Sequence, residues 1–184
     1  PNDHSAVAND SAGDRLTTRI NYCLDAGDYA QACSLIAKMI EDGQAEPQDY
    51  LLAGLVSLQI DNPAEARQRF EKALDLQPHN ADALHNLAIL SLNSDDPDTA
   101  ALYLSRLRQI DPNNAAVRND LAVVELQKKR PHRALAGFRR ALRLDPNFSA
   151  ARNSAMETCL DHGWLTTAKH LLSESADRAS TALS

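Results

Sequence analysis

The 184-residue sequence predicts an all-α protein built from about five successive helix pairs, and three observations support this prediction. Alanine, leucine and glutamine are abundant while aromatic residues make up only 4% of the chain, a composition that favours helices over strands. Identical residues recur at intervals of 34 positions, the length of a helix-turn-helix unit. Two series of prolines recur at the same interval. One series falls where a helix is expected to begin, and the other falls just after the expected end of a helix.

Shifting the sequence by one period superposes residues 70–80 on residues 104–114, and a shift of two periods superposes them on residues 138–148. A small residue repeats five times where two paired helices are expected to cross: Ala32, Ala66, Ala100, Ala134 and Ala168. A leucine repeats five times in the first helix of each pair: Leu24, Leu58, Leu92, Leu126 and Leu160. Helix starts are predicted at Pro63, Pro97 and Pro131, and Asn62 and Asp96 precede two of them as expected N-caps.

These units resemble the tetratricopeptide repeat (TPR), a 34-residue antiparallel helix pair with small residues at the helix crossing and a proline near its end. In one unit the family pattern falls on Tyr50, Ala53, Gly54, Ala66, Phe70, Ala73 and Pro78. Two departures concern packing. The usual aromatic residue late in the first helix is replaced by Cys23, Ser57, Ser91, Glu125 and Cys159. Arg118 and Arg152 stand where the pattern has a large apolar residue.

The resemblance implies a right-handed α-solenoid. We expect a disordered lead-in over residues 1–12 and a single solenoid over 13–184, with units at 13–46, 47–80, 81–114, 115–148 and 149–182. The start at Pro1 suggests a processed end or one domain of a longer protein. Each pair has an apolar stripe that it cannot bury alone, so stacking of the pairs forms the core.

In the TPR family, the first helices of the pairs line a concave groove that binds an extended peptide or a partner helix. The corresponding phases give an apolar, amide-bearing lining, whose residues are Leu51, Leu55, His85, Asn86, Ile89, Asn119, Val123, Asn153 and Glu157. Some relatives hold a chaperone's C-terminal carboxylates there with Lys and Arg. No Lys or Arg stands at the equivalent phases here, and this argues against a co-chaperone.

Charge is concentrated in the fourth unit, residues 115–148, which carries eight basic and three acidic side chains within a chain of net charge -6. Seven of these basic residues form a second candidate docking patch, the basic patch: Lys128, Lys129, Arg130, Arg133, Arg139, Arg140 and Arg143. An ordinary solvated helix surface is the alternative. The acidic pI of about 5.4 argues against bulk nucleic-acid binding.

No motif predicts catalysis. The sequence lacks a Gly-rich phosphate loop, a His-Glu-x-x-His zinc helix and a Gly-x-Ser-x-Gly elbow, and its six histidines fall at unrelated phases. We therefore expect no enzyme activity, cofactor or metal. Cys23, Cys33 and Cys159 lack metal-site spacing and are interpreted as small core residues. Their odd number favours a reducing, cytoplasmic setting, with an excised periplasmic domain as the alternative.

The sequence thus predicts a non-catalytic protein-binding scaffold without direct membrane insertion. In outline it resembles bacterial TPR proteins of pilus assembly, polysaccharide export, secretion or organelle scaffolding. Two alternatives remain. In the first, the chain is the recruiting or regulatory segment of a larger enzyme, such as a glycosyltransferase. In the second, it is a scaffold that assembles with copies of itself through its acidic first unit and the basic patch.

Overall fold

The computed structural model describes residues 12–43 and 45–171. Its helices are α1 (Ala12–Asp25), α2 (Tyr29–Glu41), α3 (Pro47–Gln59), α4 (Pro63–Leu76), α5 (Ala81–Asn93), α6 (Pro97–Ile110), α7 (Ala115–Gln127), α8 (Pro131–Leu144) and α9 (Ser149–Asp161). A further helical segment covers residues 165–171. The predicted lead-in up to residue 11, and the last unit from residue 172 onward, lie outside the described residues. The fold class is all-α, of the solenoid type, as the period predicts.

A local signal in the sequence starts each second helix. Pro63, Pro97 and Pro131 occupy the first turns of α4, α6 and α8, where a backbone N–H would have no partner inside the helix. The side chains of Asn62 and Asp96 accept hydrogen bonds from the backbone N–H groups of residues 65 and 99, at 3.2 and 3.1 Å. Both predicted N-caps are therefore confirmed.

The turn inside each pair has the same backbone geometry. The residue with positive φ recurs every 34 positions, as Gly27, Asp61, Asp95, Lys129 and Gly163. The following residue donates its N–H to a carbonyl five residues earlier: residue 28 to 23, 62 to 57, 96 to 91, 130 to 125 and 164 to 159, at 2.8–2.9 Å. These bonds satisfy carbonyls that the end of the first helix would otherwise leave unpaired.

The chain groups into two compact units whose boundary falls between residues 83 and 84, and each has its own core. In the first unit, the first core cluster contains Ile20, Cys23, Ala32, Leu35, Ile36, Met39, Ala53 and Val56. In the second unit, the second core cluster contains Ala122, Ala134, Leu135, Phe138, Ala141, Ala151, Ala155, Cys159, Ala168 and Leu171. Four of the five alanines predicted at the helix crossings are fully buried and Ala168 is nearly so, so this prediction is confirmed.

Small residues fill four of the five positions where the repeat usually carries an aromatic side chain, and Glu125 stands at the fifth. Cys23, Ser57, Ser91 and Cys159 are all buried. The hydroxyls of Ser57 and Ser91 donate to the carbonyls of Ala53 and Leu87, at 2.9 and 2.8 Å, so burial leaves neither hydroxyl without a partner. The two serine departures from the family pattern are thus accommodated within their own helices.

Candidate functional site: a helix surface of the second unit and a neighbouring basic surface

Three first helices of the second unit carry most of the predicted groove residues. His85, Asn86 and Ile89 lie on α5, Asn119 and Val123 on α7, and Asn153 and Glu157 on α9. The remaining two predicted residues, Leu51 and Leu55, lie on α3 of the first unit, where Leu51 is half-buried and Leu55 is exposed. The binding role of all nine residues stays a prediction.

A polar contact joins α5 to α7 on this surface. The Nε2 atom of His85 lies 3.1 Å from Oδ2 of Asp120. The other carboxylate oxygen of Asp120 accepts a hydrogen bond from Nδ2 of Asn119, also at 3.1 Å. Asp120 was not among the predicted site residues, although it lies next to Asn119 and 35 positions after His85. It fixes the orientation of two predicted site side chains.

Asn119 offers less to a partner than its sequence position suggests. Its side chain is only 8% exposed, and its amide nitrogen is already engaged by Asp120. Asn153 and Glu157, by contrast, are exposed and one helical turn apart on α9. On this surface α9 presents the accessible polar groups, whereas Asn119 holds its neighbours in place.

The apolar part of the surface is divided between packing and exposure. Ile89 is half-buried, and Val123 is half-buried against the second core cluster. Among the five repeated leucines, Leu24 packs against the first core cluster, Leu92 is buried and Leu126 packs against the second core cluster. Leu160 differs because 57% of it is exposed, one turn beyond Glu157 on α9. It is the exposed large hydrophobic residue closest in sequence to Asn153 and Glu157.

The basic patch separates into residues with partners and residues without a recorded ion pair. Lys128 Nζ lies 2.6 Å from Oδ1 of Asp98 at the start of α6, and Arg130 Nη1 lies 3.7 Å from Oε2 of Glu125. Lys129 occupies the positive-φ position of its turn. Arg139 and Arg143 are exposed on α8, while Arg133 and Arg140 line a cavity shared with α6 and α7. The docking role of the patch stays a prediction.

Two arginines that replace apolar residues of the repeat pattern have a structural partner. Nη2 of Arg118 donates to the carbonyl of Pro112 at 3.1 Å, and Nη2 of Arg152 donates to the carbonyl of Pro146 at 2.5 Å. Each bond ties the first helix of a unit to the proline loop before it. The two arginines are evident in the sequence, but the carbonyl that each one bonds is visible only in the structure.

The surroundings of Cys33 and Cys159 favour the neutral thiol over the thiolate. Burial raises the pKa of Cys159, against a smaller lowering by Arg139. Burial, and then the negative charge of Glu65, raises the pKa of Cys33, with Arg69 acting in the opposite direction. A raised pKa disfavours the thiolate, which is the reactive form of cysteine.

Across residues 12–43 and 45–171, no group of three or more His, Cys, Asp or Glu side chains is arranged to hold a metal ion. In the same residues, no helix has the length and apolar character needed to cross a bilayer.

The repeated helix pair places the chain among the tetratricopeptide-repeat proteins. A sequence model of the tetratricopeptide repeat matches residues 57–122 and again residues 91–155, which together cover more than half of the chain. The chain belongs to this family, whose members bind other proteins and are generally non-catalytic.

Among solved structures, the chain is similar to MamA. The structure of MamA 41-end from Desulfovibrio magneticus RS-1 is 15% identical, with 90% of this chain and 94% of that chain covered and a TM-score of 0.79. A second crystal structure of MamA is 18% identical, with 94% and 97% covered and a TM-score of 0.76. At this identity the likeness establishes the fold. No curated protein sequence matches the chain at a significant level.

Proposed function

We propose that this chain is a non-catalytic scaffold that binds a peptide or helix of a partner protein on the first-helix surface of α5, α7 and α9. The observation that carries the proposal is the combination of Leu160, an exposed apolar side chain, with exposed polar groups one and two turns away on the same helix. Exposed apolar side chains rimmed by polar groups are typical of protein-binding surfaces.

The His85–Asp120 contact supports the same surface. It holds two neighbouring first helices at a fixed spacing, and a fixed spacing lowers the entropy lost when a partner binds. Ile89 and Val123, one turn further along α5 and α7, add partly exposed apolar area beside it. Leu51 and Leu55 of α3 belong to the same proposed set through their phase in the repeat. On resemblance alone, we place the scaffold in a bacterial pilus, polysaccharide-export or secretion assembly.

The proposal is tested by affinity capture from the native cell extract with quantitative mass spectrometry. Two variants alter the surface: Leu160→Asp, at an exposed position, and the double variant Ile89→Asp with Val123→Asp. The matched control carries Leu102→Asp and Leu144→Asp, which place the same charge at exposed leucines of second helices. We expect a protein that the wild type and the control retain and that both surface variants lose.

Circular dichroism decides how the double variant is interpreted. Val123 contacts the second core cluster, so a loss of helicity would show that Val123 serves packing and would leave the test to Leu160→Asp. Equal capture by the wild type, the control and folded Leu160→Asp would contradict the proposal.

Charge distribution favours self-association as a second candidate. Residues 1–46 carry eight acidic and three basic side chains, whereas residues 115–148 carry eight basic and three acidic ones. Head-to-tail attraction between such segments of two copies would be screened by salt. Light scattering is expected to show a mass above the monomer in about 20 mM salt and a monomer in about 500 mM salt. A monomer at every salt and protein concentration would exclude this candidate.

A further inference from the structure

The second unit contains a cavity of about 420 Å³ on a surface different from the proposed binding surface. One stripe of each of α6, α7 and α8 lines it. Arg108 comes from α6, Arg118 and Glu125 from α7, and Arg133, Gly137 and Arg140 from α8. On α7 these positions differ from Asn119 and Val123, so α7 presents two separate stripes to two separate surfaces.

The repeat itself explains why a cavity forms here. A smaller cavity of about 240 Å³ in the first unit lies between α2, α3 and α4 at equivalent positions, two periods earlier. Ser57 lines the first cavity and Glu125 the second, and both stand where the repeat usually carries an aromatic residue. Without the aromatic ring, space remains between adjacent second helices in both units.

The two cavities differ in how their charges are balanced. In the first unit, Arg69 and Glu65 neutralise each other through a 3.0 Å ion pair. Two periods later, Arg133 replaces Glu65 and Gly137 replaces Arg69, so that internal pair is lost. The second cavity is lined by four arginines and one glutamate, so its lining carries an excess of positive charge.

The buried polar atoms of this cavity are incompletely paired. Among the described residues, Arg118 Nε and Glu125 Oε2 are buried without a hydrogen-bond partner, although Glu125 Oε2 lies 3.7 Å from Arg130 Nη1. Arg118 uses Nη2 on the Pro112 carbonyl, which fixes the position of its guanidinium group. The structure records no ion pair for Arg108 or Arg140 within its described part. Unpaired arginines around a recess are suited to an anionic ligand.

The positions of the arginines along the helices give the cavity two different ends. Arg108 lies in the last turn of α6, Arg118 near the start of α7 and Arg140 in the second half of α8. Because successive helices run in opposite directions, these three side chains gather at one end of the cavity. Glu125 and Arg133 lie toward the other end, and residues 118 and 125 are separated by about 10 Å along α7.

We propose that this cavity receives an acidic segment of a partner protein, whose carboxylates pair with Arg108, Arg118 and Arg140. The cavity is far larger than one small anion needs, since a water molecule takes up about 30 Å³ in the liquid. Most of the rest of its wall is apolar, and the uncharged lining residues are Ala101, Ser105, Leu121, Ala122, Val124, Ala136 and Gly137. Such walls suit the aliphatic stems of glutamate side chains, whereas a free phosphate ion would leave them uncovered.

The test measures binding of a fluorescein-labelled peptide of alternating Glu and Ala by fluorescence anisotropy in low salt. The cavity variant is Arg108→Gln with Arg140→Gln, two exposed residues whose replacement leaves the core intact. The matched control is Arg139→Gln with Arg143→Gln, which removes the same charge from exposed positions of α8 outside the cavity. We expect the cavity variant to weaken binding about tenfold or more and the control less than threefold.

Further arms separate this proposal from other anions and from the proposed function. Inorganic phosphate at millimolar concentration and vesicles with anionic headgroups should not displace the peptide beyond their effect on ionic strength. Leu160→Asp should bind the peptide as the wild type does, because it lies outside the cavity. Equal weakening in the cavity and control variants, no peptide binding by the wild type, or preferential binding of phosphate or vesicles would overturn the proposal.

Discussion

At the residue scale, five alanines determine how closely the paired helices approach. Ala100 is fully buried where α6 packs against its neighbours, and it has the same phase as four other buried alanines. Because protein interiors are closely packed, we expect a larger side chain at this buried position to displace a helix. The 34-residue period was enough to predict these positions, because equivalent helix crossings recur once in every repeat.

Replacing Ala100 with leucine should destabilise the protein by about 1–3 kcal/mol, because the larger side chain overpacks the helix crossing. Chemical denaturation monitored by circular dichroism measures the change. The matched control is Ala116→Leu at an exposed position of α7, where we expect a change within about 0.5 kcal/mol. Equal stability of the two variants would mean that Ala100 does not lie at a tight crossing.

Other single-residue features could not be predicted from sequence. The replacement of an apolar residue by Arg118 was visible, but its bond to the Pro112 carbonyl depends on how the preceding loop folds back. In the same way, Asp120 joins His85 only because α5 and α7 lie side by side. A repeat period reveals residues that occupy equivalent positions in several units. It does not reveal a side-chain contact that occurs in only one or two units.

At the element scale, the starts of the second helices show how sequence defines helix boundaries. Asn62, Asp96 and Arg130 have nearly the same backbone geometry, with φ of -115°, -113° and -118°. Asn62 and Asp96 accept a hydrogen bond from the helix N-terminus, whereas the Arg130 side chain makes no cap bond. Proline and cap signals predicted these boundaries, and α8 begins at Pro131 with the proline alone.

Replacing Arg130 with asparagine should stabilise the protein by about 1 kcal/mol, because asparagine can supply the missing N-cap in a backbone geometry that already suits it. Its contact with Glu125 is long, at 3.7 Å, and half of the Arg130 side chain is exposed, so the pair contributes little to stability. Thermal unfolding provides the measurement. Asn62→Ala serves as the reverse control and should lower stability by a similar amount. An unchanged or lower melting temperature for Arg130→Asn would contradict the capping argument.

At the scale of the whole molecule, composition and period predicted the fold class, and family membership agrees with it. The predicted division of residues 13–184 into five units of one solenoid stays a prediction. The candidate site was predicted only as a set of equivalent positions in the first helices of the repeats. Packing decides which of those side chains are accessible. Asn119 is buried and donates a hydrogen bond to Asp120. Leu92 and Leu160 occupy equivalent positions of the repeat, yet Leu92 is buried and Leu160 is exposed.

The cavity between α6, α7 and α8 was beyond sequence analysis for a related reason. The cluster of basic residues in the fourth unit was evident, yet Arg108 belongs to the preceding unit and Arg118 was interpreted only as a packing change. Lys128, a prominent member of the predicted basic patch, proves to be paired with Asp98. Charge counts along the chain therefore located the region, and side-chain contacts distinguished its paired from its unpaired cations.

Hydrogen exchange of the chain, with and without the captured partner, tests the scaffold proposal most directly. We expect slower amide exchange on binding in the first helices of the second unit, around residues 85–89, 119–123 and 153–160. In Leu160→Asp the same partner concentration should leave those amides at their unbound rates. Protection confined to α8, or no change in any of the three first helices, would contradict the assignment of partner binding to this surface.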